Sequence, residues 1–326
     1  MPTLSIVIPV YDNAAGLAEC LRALTPASGA APEIIVVDDG STDDTAAVAS
    51  SFAVRLLRLE QNSGAGTARN HGARDATGDV LLFVDSDVVV APDTVSRVSH
   101  IFEDRPEVAA VFGSYDAVPR APGFVSQFRN LLHHFVHQHG DPEASTFWAG
   151  CGAIRRAVFE AVGGFDTGPY RRSIEDIELG YRMRDAGHRI LLDKDLRVTH
   201  LKRWTLASFV RTDLLLRAVP WSRLILERGS ALDHLNLKVG HRVSVALALL
   251  TVLALALAVL SPPILVVAAA AGVGLLLANR RLLDFFARSR GMAFAVATIP
   301  LLFIHYLASG LGYLWVRAGH ALARRA

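Results

Sequence analysis

The 326-residue chain has two cysteines, Cys20 and Cys151, and neither belongs to a CxxC pair. That excludes a disulfide framework and a thiolate zinc site, and it fits a reducing compartment. Net charge is also scarce, +2 at pH 7, so charge leaves no nucleic-acid footprint and no nucleic-acid partner is expected. The opening MPTLSIVIPVYDN has no basic n-region, and its apolar stretch is short and ends at Pro9. It does not read as a signal peptide, so the first half is expected to stay in the cytosol. Charge is sparse beyond about residue 240, where Ala, Leu and Val dominate, whereas the first 205 residues or so mix charged and apolar side chains.

What is present in the first half alternates. LSIVIPV (4–10), EIIVV (33–37), VRLLRL (54–59) and DVLLFVD (79–85) read as strands. Helical patterns separate them at about 14–24, after DDGSTDD through about 51, and in NSGAGTARNHGARDA (62–76). Such spacing implies parallel βαβ units, a mostly parallel α/β sheet with flanking helices, and ligands at the carboxyl ends of its strands. Asp12, Asp38, Asp39 and Asp85 fall at such ends.

In LLFVDSDVVV (81–90), Asp85 and Asp87 interrupt an apolar run. Read as one strand, the run sends both carboxylates to one face. Burying them unpaired is costly, so a divalent cation is expected there.

The segment from about 108 to 202 is less regular, with VAAVFGSYD, STFWAGCGAIRR, the acidic SIEDIELGYRMRDAG and RVTHL. Between Trp204 and Gly229, arginines interleave with Leu, Phe and Trp, as in a segment lying on a membrane surface or, alternatively, in a packed helix pair. The apolar runs 243–260, 262–278 and 292–316 are each near the length that crosses a bilayer. Pro262 and Pro263 mark the tip of a hairpin, while Pro300 and His305 make the third run a kinked or partly protein-buried span. Arg242, Arg280, Arg281, Arg288 and Arg290 flank the hairpin on one side, which the positive-inside rule assigns, with the N-terminal domain, to the cytoplasm. Arg317, Arg324 and Arg325 run against that rule.

Six segments in this order, SIVIPVYDN, EIIVVDDGSTDDT, NSGAGTARNHG, GDVLLFVDSD, GGFD and IEDIELGYR, resemble the membrane-anchored family 2 glycosyltransferases with the GT-A nucleotide-diphosphosugar fold. The resemblance covers roughly residues 3 to 205. It implies a Rossmann-like catalytic domain over 1–204, divided into a nucleotide-sugar half (1–107) and an acceptor half (108–204). Amphipathic interfacial helices (205–240) and a transmembrane region (241–326) are expected to follow.

By the same resemblance, Asp85-Ser86-Asp87 matches an Asp-x-Asp motif holding Mg2+ or Mn2+. Asp87 is then the more direct ligand, Asp85 lies nearer the ribose and metal, and His200 completes the shell. Pro9, Val10, Tyr11 and Asp12 line the base pocket, and Asp39 accepts from the base, with Asp38 or simple helix capping as alternatives. Arg69 faces the base or phosphates. Asp176 is the implied general base and Glu175 its supporting or acceptor-contacting neighbour. Trp148, Gly150 and Gly152 shape the sugar and acceptor pocket. Arg203 and Trp204 belong to HLKRW, which is similar to the Gln-x-x-Arg-Trp motif of polymerising members, with His200 in place of Gln; that departure argues against processivity.

The implied donor is a UDP-sugar, or a GDP-sugar, and the implied acceptor a hydroxyl on a lipid or lipid-linked glycan. The implied reaction is inverting. A polyprenyl-phosphate sugar synthase is the second enzyme reading; its ionised acceptor needs no base, which the Glu175-Asp176 pair disfavours. A catalytically silent nucleotide-sugar-binding scaffold is the non-enzyme reading.

Overall fold

In the computed structural model, the described residues are 1–25, 32–170, 173–229 and 238–323. They divide into two compact units, Met1–Pro122 with His137–Arg203, and Gly123–Val136 with Trp204–Ala326. Arg324 and Arg325 lie outside the described residues.

The first unit is built on one sheet, nine-stranded among the described residues. Its strands are β1 (Leu4–Val10), β2 (Glu33–Asp38), β3 (Arg55–Arg58), β4 (Val80–Val84), β5 (Val88–Val90), β6 (Val108–Tyr115), β7 (Glu143–Ala144), β8 (Cys151–Arg155) and β9 (Arg189–His200). Their order is β3-β2-β1-β4-β8-β6-β9-β5, with β7 beside β9. The helices of this unit are α1 (Ala14–Leu24), α2 (Thr45–Ser50), α3 (Ala65–Asp75), α4 (Thr94–Asp104), α6 (Arg156–Ala161) and α7 (Glu175–Asp185). Strands β1, β4 and β6 are buried along their whole length. A strand covered on both faces needs apolar side chains at every position, which explains the unbroken runs. Cys20 and Cys151 are free and buried in this core.

The expected mostly parallel sheet holds for β3-β2-β1-β4. Beyond β4 the sheet is mixed: β8 runs antiparallel to both β4 and β6, and β5 antiparallel to β9. A second departure concerns LLFVDSDVVV. It is two strands, β4 and β5, joined by a turn at 85–87 in which the Val88 amide donates to the Asp85 carbonyl at 3.1 Å. Asp85 and Asp87 therefore do not share a strand face. Two carboxylates in the middle of a buried strand would lack solvation, and the turn removes them from that position.

Glycine matters where α7 meets the 146–147 segment. A Cβ on Gly180 would sit 2.3 Å from the Phe147 amide nitrogen. Gly180→Ala is expected to destabilise the protein by about 1–3 kcal/mol through forced displacement of α7, read as a lowered Tm; an unchanged Tm would remove this packing argument.

The second unit contains α5 (Phe124–Gln138, with Gly123–Val136 in this unit), α8 (Leu206–Arg211), a π-helix (Thr212–Ala218) and α9 (Val219–Arg228). It continues with α10 (Val239–Ala258), a 3-10 turn (Pro262–Ile264), α11 (Leu265–Ala278), α12 (Arg280–Arg290) and α13 (Met292–Ala323). The units divide at Arg203/Trp204, and residues 123–136, expected in the acceptor half, group with the second unit. The cause is packing, since Phe128 meets Phe209 and Phe286 edge to face, and Arg129 pairs with Asp213 at 2.7 Å.

Among the described residues, Val239–Ala258 and Met292–Leu322 are long and apolar enough to cross a membrane. The pair Pro262–Ala278 and Arg280–Arg290, bent by 62°, gives a third span if counted as one. At that break Asn279 donates to Ser244 Oγ (3.0 Å) and accepts from the Tyr306 hydroxyl (2.6 Å). Large apolar side chains such as Leu253 and Val266 point outward, an arrangement stable in lipid rather than water. Pro300 lies inside a continuous α13. The 205–229 stretch is a packed assembly, with Phe209, Asp213, Trp221 and Leu224 buried and Leu206 and Leu215 exposed.

Candidate active site

The site grows from the carboxyl ends of the strands. At the end of β1, Asp12 is the one non-glycine residue at positive φ (45°) among the described residues, a conformation aspartate tolerates better than most. Its Oδ1 accepts the Thr42 amide at 2.7 Å, and its own amide donates to Ser41 Oγ at 2.9 Å. The Thr42 amide holds this carboxyl below the ordinary range. Asp39 is buried, and its two oxygens accept the Ser63 and Gly64 amides, each at 2.8 Å. Asp38 accepts from the Ser41 amide and from Arg58. These acids lock the β1, β2 and α3 loops to one another.

Arg69 is not where the sequence suggested. It is 4% exposed, beneath the surface rather than facing a base. One terminal nitrogen donates to Asp85 Oδ1 at 2.6 Å, the other to Glu175 Oε1 at 2.7 Å. Its guanidinium lies over Phe165, 5.3 Å from the ring centre. Phe165 is delivered by the GGFD turn, whose Gly163 and Gly164 have φ of 83° and 69°. Asn70 fixes that turn by bonding both the amide and the carbonyl of Phe165.

Glu175 is likewise buried, with Arg69 on its carboxylate. Burial pushes its carboxyl up, against the pull of Arg69. Arg69→Met would strand both acids, and a loss at the lower end of the roughly 3–5 kcal/mol range is expected because Glu175 can take up a proton. Thermal unfolding checks this, with partial recovery expected in Arg69→Met/Glu175→Leu; full stability of the single variant would refute the hub role.

Asp176 opens α7. Its Oδ1 accepts the Ile177 amide at 2.8 Å and its Oδ2 the Ala149 amide at 3.3 Å. The carboxylate is half-buried in the first turn of α7. The Ala149 bond ties it to the FWAGCG segment. There, a Cβ on Gly150 or Gly152 would strike Trp148 or Phe147 within 2.5 Å, so both positions require glycine. Gly150 also receives the Asp85 amide through its carbonyl, at 3.1 Å.

Strand pairing brings the remaining pieces together. The β5–β9 register sets Val88 opposite His200, and the Leu201 amide donates to the Asp87 carbonyl at 2.8 Å. His200 Nε2 thereby comes within 3.5 Å of Asp87 Oδ2. Burial alone would raise the Asp87 carboxyl, but His200 and Lys202 draw it below its ordinary value. His200 stacks on Tyr115 (4.3 Å between ring centres), and Tyr115 meets the Trp148 edge at 4.8 Å. An aromatic path thus joins the Asp87 side to the Trp148 segment.

Among the described residues no cluster of three or more metal-ligating side chains forms, because Asp85 turns to Arg69 while Asp87 and His200 meet each other. A carboxylate with one imidazole suits a hard cation that takes its other ligands from substrate phosphates and water.

Asp87 borders a cleft of about 630 Å3 lined also by Tyr11, Asn13, Ser86, Arg120, Lys202 and Arg203. Of the residues expected at the donor, Tyr11 and Asp87 open on this cleft, whereas Pro9 and Val10 are buried inside β1 and reach no open surface. Trp204 belongs to the second unit, where its amide donates to Ser126 Oγ and Arg129 covers its ring. Sequence reasoning missed Asn13, Arg120, Tyr115 and Lys202. Lys202 adjoins His200 and could have been inferred from HLKRW; Arg120 and Tyr115 carry no local signal.

Residues 5–163 match the model described as Glycosyl transferase family 2. An uncharacterized glycosyltransferase of Haemophilus influenzae is 32% identical over 187 residues, covering 54% of this chain and 60% of that protein. The validoxylamine A glucosyltransferase of Streptomyces hygroscopicus subsp. jinggangensis is 32% identical over 223 residues, covering 57% of this chain and 52% of the relative. The chain thus spans about half to three-fifths of the length of these relatives. A mannosyltransferase of Pyrobaculum calidifontis, solved with GDP-Man and Mn2+, superposes with a TM-score of 0.62 at 22% identity, over 96% of this chain and 87% of that one. The fold is GT-A-like, and residues 5–163, just under half of the chain, match glycosyl transferase family 2.

Proposed function

We propose that this protein is an inverting, metal-dependent glycosyltransferase. It moves a sugar from a nucleotide-diphosphosugar to a hydroxyl of a lipid or lipid-linked acceptor at the cytoplasmic membrane face. The observation that carries this reading is the Asp87–His200 pair at the rim of a cleft that also holds Lys202, Arg203 and Arg120. Three cationic side chains beside an anionic metal-ligating group suit a diphosphate that must leave with its charge compensated.

Asp87 and His200 would hold a divalent cation, with Asp85 near it; when bound, such an ion neutralises charge on the departing nucleoside diphosphate. Lys202, Arg203 and Arg120 orient the phosphates, and Tyr11 borders the nucleotide end. Asp176 takes the proton of the acceptor hydroxyl as its oxygen attacks the anomeric carbon. The carbon–oxygen bond to the diphosphate breaks on the opposite face, and configuration inverts. Arg69 and Glu175 fix the ends of β4 and α7 without touching substrate. The apolar helices of the second unit support a membrane location and hence a lipid-borne acceptor. The GDP-Man and Mn2+ of the Pyrobaculum neighbour support a nucleotide sugar and a divalent ion, with UDP- and GDP-sugars both to be assayed.

A thermal-shift panel of nucleotide sugars with and without Mn2+, followed by transfer into membrane lipid extracts, tests the proposal. A product of inverted anomeric configuration by NMR is expected. Retained configuration, or no turnover with any donor, would defeat it.

A further inference from the structure

The second unit contains a cavity that the transfer chemistry leaves unused. Its volume is about 420 Å3, inside the roughly 300–1,000 Å3 range of small-molecule sites. Every lining residue belongs to that unit.

Its walls are of two kinds. Arg129, Arg217 and Arg242 bring three guanidinium groups, and His133, His241 and His305 three imidazoles. Asp213 is the one carboxylate among the described lining residues, and it is consumed internally, by Arg129 at 2.7 Å and His305 at 2.6 Å. Burial would raise the Asp213 carboxyl, but its contacts with Arg129 and His305 hold it well below its ordinary range. Arg217 bonds His133 Nε2 at 3.2 Å, and no carboxylate among the described residues lies within salt-bridge distance of it. Among the described lining residues the balance is positive.

The other wall is apolar and graded. Along α10 the lining positions are His241, Arg242, Val245 and Leu249, spaced to fall on one helix face. Arg242 is at the start of the helix, and Leu249 lies about 10 Å further along at 1.5 Å per residue. On α13, His305, Ser309 and Tyr313 recur at four-residue intervals on one face. Leu132, Trp221 and Ile225 complete the apolar part. A cavity that sets guanidinium groups beside the apolar side chains of a membrane-length helix matches an amphiphile with an anionic head. Guanidinium suits phosphate in particular, because its fork of donors meets phosphate oxygens bidentately. Basic pockets among membrane helices take anionic lipid headgroups on the same grounds.

We propose that this cavity binds a phosphate-headed lipid, its phosphate on Arg217 and its chain against Val245, Leu249 and the other apolar side chains of the lining. The proposal rests on the membrane reading of the second unit, not on the chemistry of transfer.

The test uses the full chain in neutral detergent, with tryptophan fluorescence (Trp221 lines the cavity) and native mass spectrometry as readouts. The probes are dioctanoyl phosphatidic acid, dioctanoylglycerol and inorganic phosphate. Phosphatidic acid is expected to bind at least about tenfold more tightly than dioctanoylglycerol, and excess inorganic phosphate not to displace it. Arg217→Gln should weaken phosphatidic acid about tenfold, and Arg217→Lys should recover most of that loss. Val245→Phe, which leaves every charge in place, should weaken lipid binding by obstructing the chain, and it supplies the answer if Arg217→Gln fails to fold.

Equal binding of the two lipids, or indifference to both Arg217→Gln and Val245→Phe, would overturn the proposal. Full displacement by inorganic phosphate would assign the site to a free anion instead. Failure of the protein to float with phosphatidylcholine vesicles would overturn the membrane reading and the proposal with it, whereas flotation with unselective lipid binding would overturn the proposal alone.

Discussion

Asp176→Asn is expected to lower sugar transfer by about 10²–10⁴-fold, the usual worth of a positioned general base, with donor affinity nearly unchanged. Asparagine keeps the shape, and its carbonyl oxygen can still accept one of the two amides that now hold the carboxylate, Ile177 or Ala149. What it loses is basicity. A fall in kcat without loss of donor binding therefore separates proton removal from structural damage. The same variant distinguishes the two enzyme readings. A phosphate acceptor is already ionised near neutral pH and needs no base, so near-normal transfer in Asp176→Asn would shift the assignment to a polyprenyl-phosphate sugar synthase. Glu175 is no substitute, being buried and bound to Arg69.

The second large effect is expected at Asp87. Asp87→Asn should cost about 10²–10³-fold in transfer, comparable to removing one fixed stabiliser of developing charge, and should weaken donor binding measured in Mn2+. Chelation of the wild-type protein should produce a similar loss. Applying both should add little, because two perturbations of one interaction are not additive. The fold should survive, since Asp87 sits in a turn and is partly exposed, unlike the core of β4. Donor binding indifferent to chelator, together with full activity in Asp87→Asn, would remove the metal from the proposal. His200→Asn should have the smaller effect of a supporting ligand, since the imidazole also stacks on Tyr115.

Much of the first unit was legible in its residues. The strands at 4–10, 33–37 and 54–59 and the helix at 14–24 were found within about a residue of their observed bounds, because periodicity and turn chemistry are local. The carboxylates at strand ends were legible too, since an acid that ends an apolar run has few other places to go. Arg69 was misjudged for the opposite reason. A lone arginine in a Gly-rich segment looks solvent-facing, and its burial depends on Asp85 and Glu175, 16 and 106 positions away. Asp85 and Asp87 were placed on one face because a continuous apolar run looks like one strand, whereas β4 and β5 pair with different partners.

By itself the sequence determined the alternation of elements, the acidic positions available for chemistry and the apolar helices, because each is written in side-chain type and short-range spacing. The tertiary structure decided which acid is spoken for. It turned Asp85 inward to Arg69, brought Asp87 against His200 by the register of β5 on β9, and moved residues 123–136 out of the acceptor half. Those outcomes follow from burial and pairing between distant segments, where the cost of an unpaired charge is set by neighbours that no local pattern specifies.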